Sequence, residues 1–362
     1  MSSESRPAPP LKVHYSALKE VVRRIFEKAG SKPPEDERVA HYLVEANLAG
    51  HDSHGVIRVA SYVEFLRKGL VLPNRSLQVV LETEALLVLD GQIGLGQTIG
   101  EAAMRLGIAK ARQHGVAVLA LRNCGHLGRI GDWPLQAARA GMISLHFVNT
   151  SGYGLLVAPF GGIDRRLSAN PISVGVPVEG GQPIVLDIST CAIAEGKIKV
   201  AFNKGDRVPT GSIVDSEGRP TDDPRVFYAD PPGSILPFGG HKGFGLSVIT
   251  ELLAGALTGS GTSSPGASRL FNGMLAIILD PGRFVGAPEF AAEVRRFVDF
   301  VKSSRTVLPG GEILMPGELE ERTRKLRLRD GIEIDPTTWQ QILGTCKALG
   351  IGEEEIAQIV PA

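Results

Sequence analysis

Apolar residues recur along the first part of the chain with the spacing of one helical face. Leu18, Val21, Val22, Ile25 and Phe26 form a stripe within residues 14–29, the i, i+3, i+4, i+7 pattern of an amphipathic helix. A second helix is predicted from about Pro34, with Val39, Leu43 and Val44 inward, and a third from about His54 to Gly69, carrying Val59, Tyr62, Val63 and Leu66. Beyond residue 75 the period shortens. LQVVLE, ALLVLD, VAVLALRN, MISLHFVN, ISVGVPV, PIVLDIS and MLAIILD are short apolar runs between turn residues, and they read as strands. Helical stretches fall between some of them: QTIGEAAMRLGIAKARQHG, stopped by Gly115, and segments near 133–140, 192–201, 242–258 and 287–304. From GELEERTRKL onward the pattern is helical again, the first helix heavily charged. This order predicts an α/β (α+β) chain in four parts: a disordered tail (1–12), a helical segment (13–75), a sheet domain (76–305) and a C-terminal helical arm (306–362) packing with the N-terminal helices or a partner subunit.

The rest of the composition narrows the partners. With 362 residues the chain can bury a large core, and 39 basic side chains balance 39 acidic ones. That balance gives no long-range attraction to nucleic acid or an anionic membrane, so neither is expected as a partner. No apolar run is long enough to span a bilayer. The polar, proline-rich start MSSESRPAPPLK lacks the apolar core of a signal peptide. Cys124, Cys191 and Cys346 are odd in number and far apart, which suits neither a metal site nor a disulfide framework and points to the reducing cytoplasm.

One familiar motif fails. GLGQTIG, residues 94–100, lies between a strand and a helix, where a dinucleotide fingerprint would be. Its glycines are spaced GxGxxxG, one residue too long, and the strand that should end in a ribose-binding acid ends in Arg122 and Asn123. A glycine-rich turn into a helix is the better reading.

Three other stretches concentrate chemistry. HDSHGVIR, residues 51–58, offers Asp52 or Ser53 as a helix N-cap and sets His54 and Arg58 four apart, on one face of the predicted helix. Arginine can clamp a carboxylate by two parallel hydrogen bonds, and histidine can exchange a proton near neutral pH. The plainer alternative is a capped helix with a solvated face. RNCGHLGRIGDW places His126 in a loop after a strand, where functional groups of sheet proteins gather. PFGGHKGFGLSVITELL surrounds His241 and Lys242 with glycines before an apolar helix, a corner suited to phosphate but not a Walker sequence. Asp187 ends an apolar strand, where it could orient a histidine or cap a helix; Glu318 follows a Pro-Gly turn in LMPGE. A Ser53/His54/Asp187 hydrolase is a rival, but neighbouring Ser and His side chains should diverge and no GxSxG elbow occurs. A non-enzymatic binding module would have no reason to set histidines beside glycine loops three times.

In the order DSHGVIR, CGHLGRIG, SANPISVGVP, LDIST, GGHKGFGLS and ILMPGE, the chain resembles the malate/L-lactate dehydrogenase family of the second type, from about residue 14 to 345. That family also includes sulfolactate, ureidoglycolate and diketogulonate dehydrogenases and reductases of cyclic imino acids such as piperideine-2-carboxylate and pyrroline-2-carboxylate. The resemblance implies NAD or NADP bound by a non-Rossmann mixed-sheet domain, a small carboxylate substrate, no metal, and a homodimer with a shared active site. By resemblance, Ser53, His54 and Asp187 form a proton relay and Arg58 the carboxylate clamp, while His126 matches the acid–base residue of the ureidoglycolate branch. The expected catalytic histidine is therefore His54 first and His126 second. Thr150, Asp187, Ile188, Ser189, His241, Lys242, Gly243 and Glu318 fall where the family touches its dinucleotide. The family often has Asn or Ser before its second histidine and an aromatic-rich run after it; here Gly125 precedes and Leu127, Gly128 and Arg129 follow, which marks the substrate pocket as the part that differs.

Overall fold

A computed structural model describes residues 11–151, 154–266 and 269–360. The helices α1 (Tyr15–Lys28) and α2 (Glu35–Leu48) lie where the periodicity puts them, and the five stripe residues of α1 are its buried ones. The third, α3, is shorter than expected (Val59–Arg67). Leu11–Val13, partly assigned to the tail, is instead a strand, β1, and residues 1–10 of that tail lie outside the described residues.

The sheet domain opens with β2 (Gln78–Glu82), β3 (Leu86–Gly94), α4 (Gly96–His114) and β4 (Val116–Cys124). It continues through α5 (Asp132–Arg139), β5 (Ile143–Ser151), β6 (Ile172–Val176), β7 (Ile184–Ile188) and α6 (Glu195–Lys204). Then come three two-residue strands, β8 (Ile213–Val214), β9 (Pro220–Thr221) and β10 (Ser234–Ile235), followed by α7 (His241–Thr250), β11 (Phe271–Leu279) and α8 (Ala287–Lys302). The arm consists of α9 (Glu318–Asp330), β12 (Ile332–Ile334), α10 (Pro336–Ala348) and α11 (Glu353–Ile359).

Among the described residues the long strands form one seven-stranded sheet in the order β2-β3-β4-β11-β5-β6-β7. Only β3 and β4 run parallel, joined by α4 as crossover; the other neighbours are antiparallel. The sheet is mixed, as expected. Its core joins α4, α5 and the central strands around Trp133, Leu89, Ile99, Met104 and Leu121. The failed fingerprint has a packing explanation: a Cβ on Gly96 would fall 2.0 Å from the His126 carbonyl oxygen. The glycine is needed so that the His126 loop can lie against the start of α4, not so that phosphate can approach.

A second core unites the two ends of the chain. Leu18, Phe26 and Leu43 pack with Ile332, Ile342 and Ile356, and β1 pairs antiparallel with β12. From α9, Arg324 meets Glu45 of α2 at 3.0 Å and Arg327 meets Asp52, just beyond α2, at 2.6 Å. The arm thus packs on the N-terminal helices of its own chain. A third, smaller core, not anticipated from sequence, gathers Val157, Ile198, Ile213, Phe227 and Ile235 around β8–β10 and α6.

Candidate active site

HDSHGVIR does not begin a regular helix. Asp52–His54 and Val56–Arg58 are two 3₁₀ turns separated at Gly55, and α3 starts only at Val59. Neither Asp52 nor Ser53 caps a helix. The Asp52 carboxylate instead accepts from Asn47 Nδ2 at 2.6 Å and from Arg327, and Asn47 Oδ1 takes up the Val56 N–H at 2.8 Å. These anchors hold the turn in a shape that local propensity does not favour. One consequence overturns an expectation: Ser53 and His54 do not diverge, and Ser53 Oγ lies 3.1 Å from His54 Nδ1.

The turn brings His54 to His126. The two imidazoles stack at 5.7 Å between centroids and 11° between planes. Behind His126, the Tyr62 hydroxyl lies 2.5 Å from Nδ1, and Gln97 Nε2 donates to the same hydroxyl oxygen at 3.2 Å. Burial pushes the Tyr62 phenol up to about 12, so it keeps its proton and can donate it to Nδ1. Arg58 Nε donates to the Ser53 carbonyl at 2.7 Å. No hydrogen bond or ion pair among the described residues engages its two terminal nitrogens, so the outer edge of the guanidinium fork is free. Burial and then the Arg58 charge hold His126 down to about 3. Burial first, then His126 and Arg58, hold His54 well below the usual imidazole range. Both rings are neutral at pH 7, and two imidazoles this close titrate as a pair.

Asp187 stands apart from this pair. Its Oδ2 accepts from the Gly131 N–H at 2.8 Å, and no hydrogen bond joins it to His54 or His126. It lines a cleft of about 290 Å³ together with His51, Arg129, Asp132 and Glu320. There Arg129 and Asp132, both buried, pair at 2.8 Å, and His51 faces Glu320 at 3.3 Å. Burial raises the Asp187 carboxyl and lifts that of Asp132 to about 6, against the opposing charge of Arg129.

Apart from Asp187, which lies in that cleft, the residues assigned to the dinucleotide fall into one group and one outlier. Ile188 closes the β6–β7 ladder opposite Ile172, and the chain then turns through Ser189 and Thr190. Thr190 O accepts the Phe238 N–H at 3.1 Å, and Phe238 O accepts the Gly243 N–H at 2.9 Å. Ser189 and the His241–Lys242–Gly243 corner at the start of α7 are thereby neighbours. His241 and Lys242 are exposed, and Lys242 has no ion pair among the described residues. An exposed ammonium beside a helix N-terminus fits the pyrophosphate of a dinucleotide. The same chain runs from residue 190 into α6, whose Gly196 packs on Ser53 so closely that a Cβ there would lie 3.0 Å from Ser53 Cβ. Thr150, at the end of β5, accepts from Asn272 Nδ2 at 3.1 Å. Glu318 is the outlier: its carboxylate pairs with Lys302 and accepts the Met315 N–H at 2.9 Å, beside the outer edge of β7.

Tyr62, Gln97, Asn47 and Asn272 were missed by sequence reasoning. Tyr62 carried a signal, since a phenol on the inward stripe of a helix needs a buried partner. The other three carried none, because their partners are at least five residues away in sequence, outside the reach of a local pattern.

A mixed, non-Rossmann sheet presenting two histidines, a free arginine and a glycine-flanked corner with an exposed lysine defines a class, and the comparisons agree. The malate/L-lactate dehydrogenase family model matches residues 13–343. Hydroxycarboxylate dehydrogenase B of Escherichia coli strain K12 is 42% identical over 349 residues, covering 94% of each chain. A Delta(1)-pyrroline-2-carboxylate/Delta(1)-piperideine-2-carboxylate reductase of Pseudomonas putida is 34% identical over 349 residues, covering 94% of this chain and 97% of its own. The solved sulfolactate dehydrogenase of Methanocaldococcus jannaschii superposes with a TM-score of 0.86 at 36% identity, covering 95% of this chain and 99% of that one. The chain belongs to the malate/L-lactate dehydrogenase family.

Proposed function

We propose that this protein is an NAD(P)-dependent oxidoreductase acting at the carbon α to a carboxylate, with 2-hydroxy and 2-oxo acids as its first substrate class. One observation carries the reading: a guanidinium with its terminal nitrogens free stands beside two stacked neutral imidazoles. Arg58 takes the substrate carboxylate in a bidentate pair. When bound at the Ser189/Lys242 corner, the nicotinamide cofactor supplies or accepts the hydride. The histidine pair handles the proton at the substrate oxygen, His54 first and His126 second. Substrate binding aids this step. A carboxylate on Arg58 neutralises one of the charges that hold both rings deprotonated, so the pair gains proton affinity only when substrate is present. Ser53 orients His54, and Tyr62 fixes His126. Asp187 lies in the neighbouring cleft, where it accepts from the Gly131 N–H and is hydrogen-bonded to neither imidazole.

Cyclic imino acids are the second class. They offer the same carboxylate beside a reducible carbon, and the Pseudomonas putida relative supports them. The rival hydrolase loses its footing, because among the described residues no carboxylate is hydrogen-bonded to either imidazole. A screen of 2-oxo acids and cyclic imino acids with NADH and NADPH, followed by absorbance loss, tests the reading. Turnover of neither class with either cofactor overturns it.

The assembly we infer is a homodimer. α8 buries none of its residues and exposes Phe297 and Phe300, while Leu246, Ile249, Leu252 and Leu257 are exposed along α7 and the turn after it. A second copy of the chain is the natural cover for so much apolar surface. Among the described residues no helix is long and apolar enough to cross a membrane.

A further inference from the structure

Glu251 is buried, 5% exposed, at the start of a π-helical turn (Glu251–Ala256) that continues α7. Such turns are rare and occur frequently at functional sites. No cation lies within ion-pair distance among the described residues. Four neutral donors surround the carboxylate instead. Asn170 Nδ2 at 2.9 Å and Ser263 Oγ at 2.6 Å donate to Oε1; Asn149 Nδ2 and the Ser263 N–H, both at 3.0 Å, donate to Oε2. A buried carboxyl group is kept by its hydrogen bonds, and these four tie Glu251 to three separate segments, at Asn149, Asn170 and Ser263.

Two routes lead outward from it. Through Asn149, whose carbonyl accepts from Asn272 Nδ2 at 2.9 Å, the network reaches Asn272 Oδ1, which accepts the N–H of Leu127, the residue after His126, at 2.8 Å. The same Asn272 amide touches Thr150. The second route runs through Asn170, itself held at φ 39°, uncommon outside glycine. The preceding carbonyl, of Ala169, accepts both the N–H and the hydroxyl of Thr190 at 2.9 Å, and Thr190 leads on to Phe238 and Gly243. One carboxylate thus stands between the loop of His126 and the corner assigned to the dinucleotide.

We propose that Glu251 is a positioning residue that sets the His126 loop and the Ser189/Lys242 corner in register, so that cofactor and acid–base histidines are held at working distance. This rests on the dehydrogenase reading. The test is Glu251→Gln in the full chain, which keeps shape but turns one acceptor into a donor facing donors. NADH and NADPH affinity is read by fluorescence titration at 25 °C, thermal melting of the free protein is read alongside, and kcat and KM are measured on the best substrate of the screen. The expected result is dinucleotide affinity weakened and kcat lowered, each roughly tenfold, with the substrate KM, set by Arg58, unchanged. A lower melting temperature with affinity and kcat intact means a purely structural role and overturns the proposal. Wild-type protein that binds neither dinucleotide overturns the dehydrogenase reading and this proposal with it; wild-type binding matched by the variant overturns this proposal alone. Should Glu251→Gln fail to fold, Ser263→Ala removes one donor at the rim of the network. A two- to threefold loss of affinity then supports the proposal, and an unchanged affinity overturns it.

Discussion

Tyr62→Phe removes a single oxygen, and the structure says what that oxygen does. It sits 2.5 Å from His126 Nδ1 and accepts from Gln97 Nε2 at 3.2 Å, while the ring packs edge-on against Phe26 at 6.5 Å and against His126 at 5.9 Å. The phenylalanine ring keeps both contacts. What is lost is the hydrogen bond that fixes the orientation and tautomer of His126, and Gln97, already lacking a partner for Oε1, is left with a second unsatisfied group. Leaving buried polar groups unpaired costs about 1–3 kcal/mol. If His126 must be held for the proton step, that cost falls on the transition state, and kcat/KM drops between about fivefold and a hundredfold. The dinucleotide corner is untouched, so cofactor affinity stays at the wild-type value. The assay is steady-state reduction of the best 2-oxo acid, with cofactor binding read separately by fluorescence. Wild-type kcat/KM in a folded Tyr62→Phe protein would refute the view that His126 is held for chemistry and would leave His54 to act alone.

Further outcomes follow from the same geometry. Arg58→Ala should lower kcat/KM by about a hundredfold or more through loss of a charged partner for the carboxylate, with cofactor binding retained; unchanged turnover would remove the clamp. With both site imidazoles held below their usual range, reduction, which needs a protonated ring, should quicken as pH falls from 8 towards 5. Oxidation should hold steady over the same range, and a reduction rate rising with pH contradicts the assignment. His146 is fully buried with Nδ1 unpartnered, and burial holds it down to about 3. The folded ring therefore stays neutral while the unfolded one binds a proton below about 6.5, so stability is complete above that pH and is lost as pH falls. Between pH 7 and 5 the loss is about 2 kcal/mol, and denaturant titrations of His146→Leu should show the acid dependence shrinking by that amount. Replacing Phe297 and Phe300 together by Asp should turn a dimer into a monomer by light scattering; a wild-type monomer, or a dimer that survives the change, removes α8 from the interface.

Periodicity alone set most of the architecture. The stripe Leu18–Phe26, the inward face of α2, the seven apolar runs that became long strands and the stop at Gly115 are local signals, and the folded chain follows them because burial of one face dominates each element. The residue types of the site were legible for the same reason: histidine, arginine and lysine beside glycines stand out in a chain of ordinary composition. Their arrangement was not. The 51–58 turn is shaped by Asn47 and by Arg327, 275 positions beyond Asp52, and those tertiary hydrogen bonds outweigh the helical tendency of GVIRVASYV. The stacking of His54 on His126, the phenol behind it and the separation of Asp187 into a different cleft are set by how α3, α4 and β4 meet. β1 and the three two-residue strands are too short to give a period, and exist because β12 and α6 pack beside them. Sequence, in short-range terms, chose the elements and supplied the reactive groups. Distances between those groups depend on contacts between residues far apart in the chain, and only the packed core fixes them.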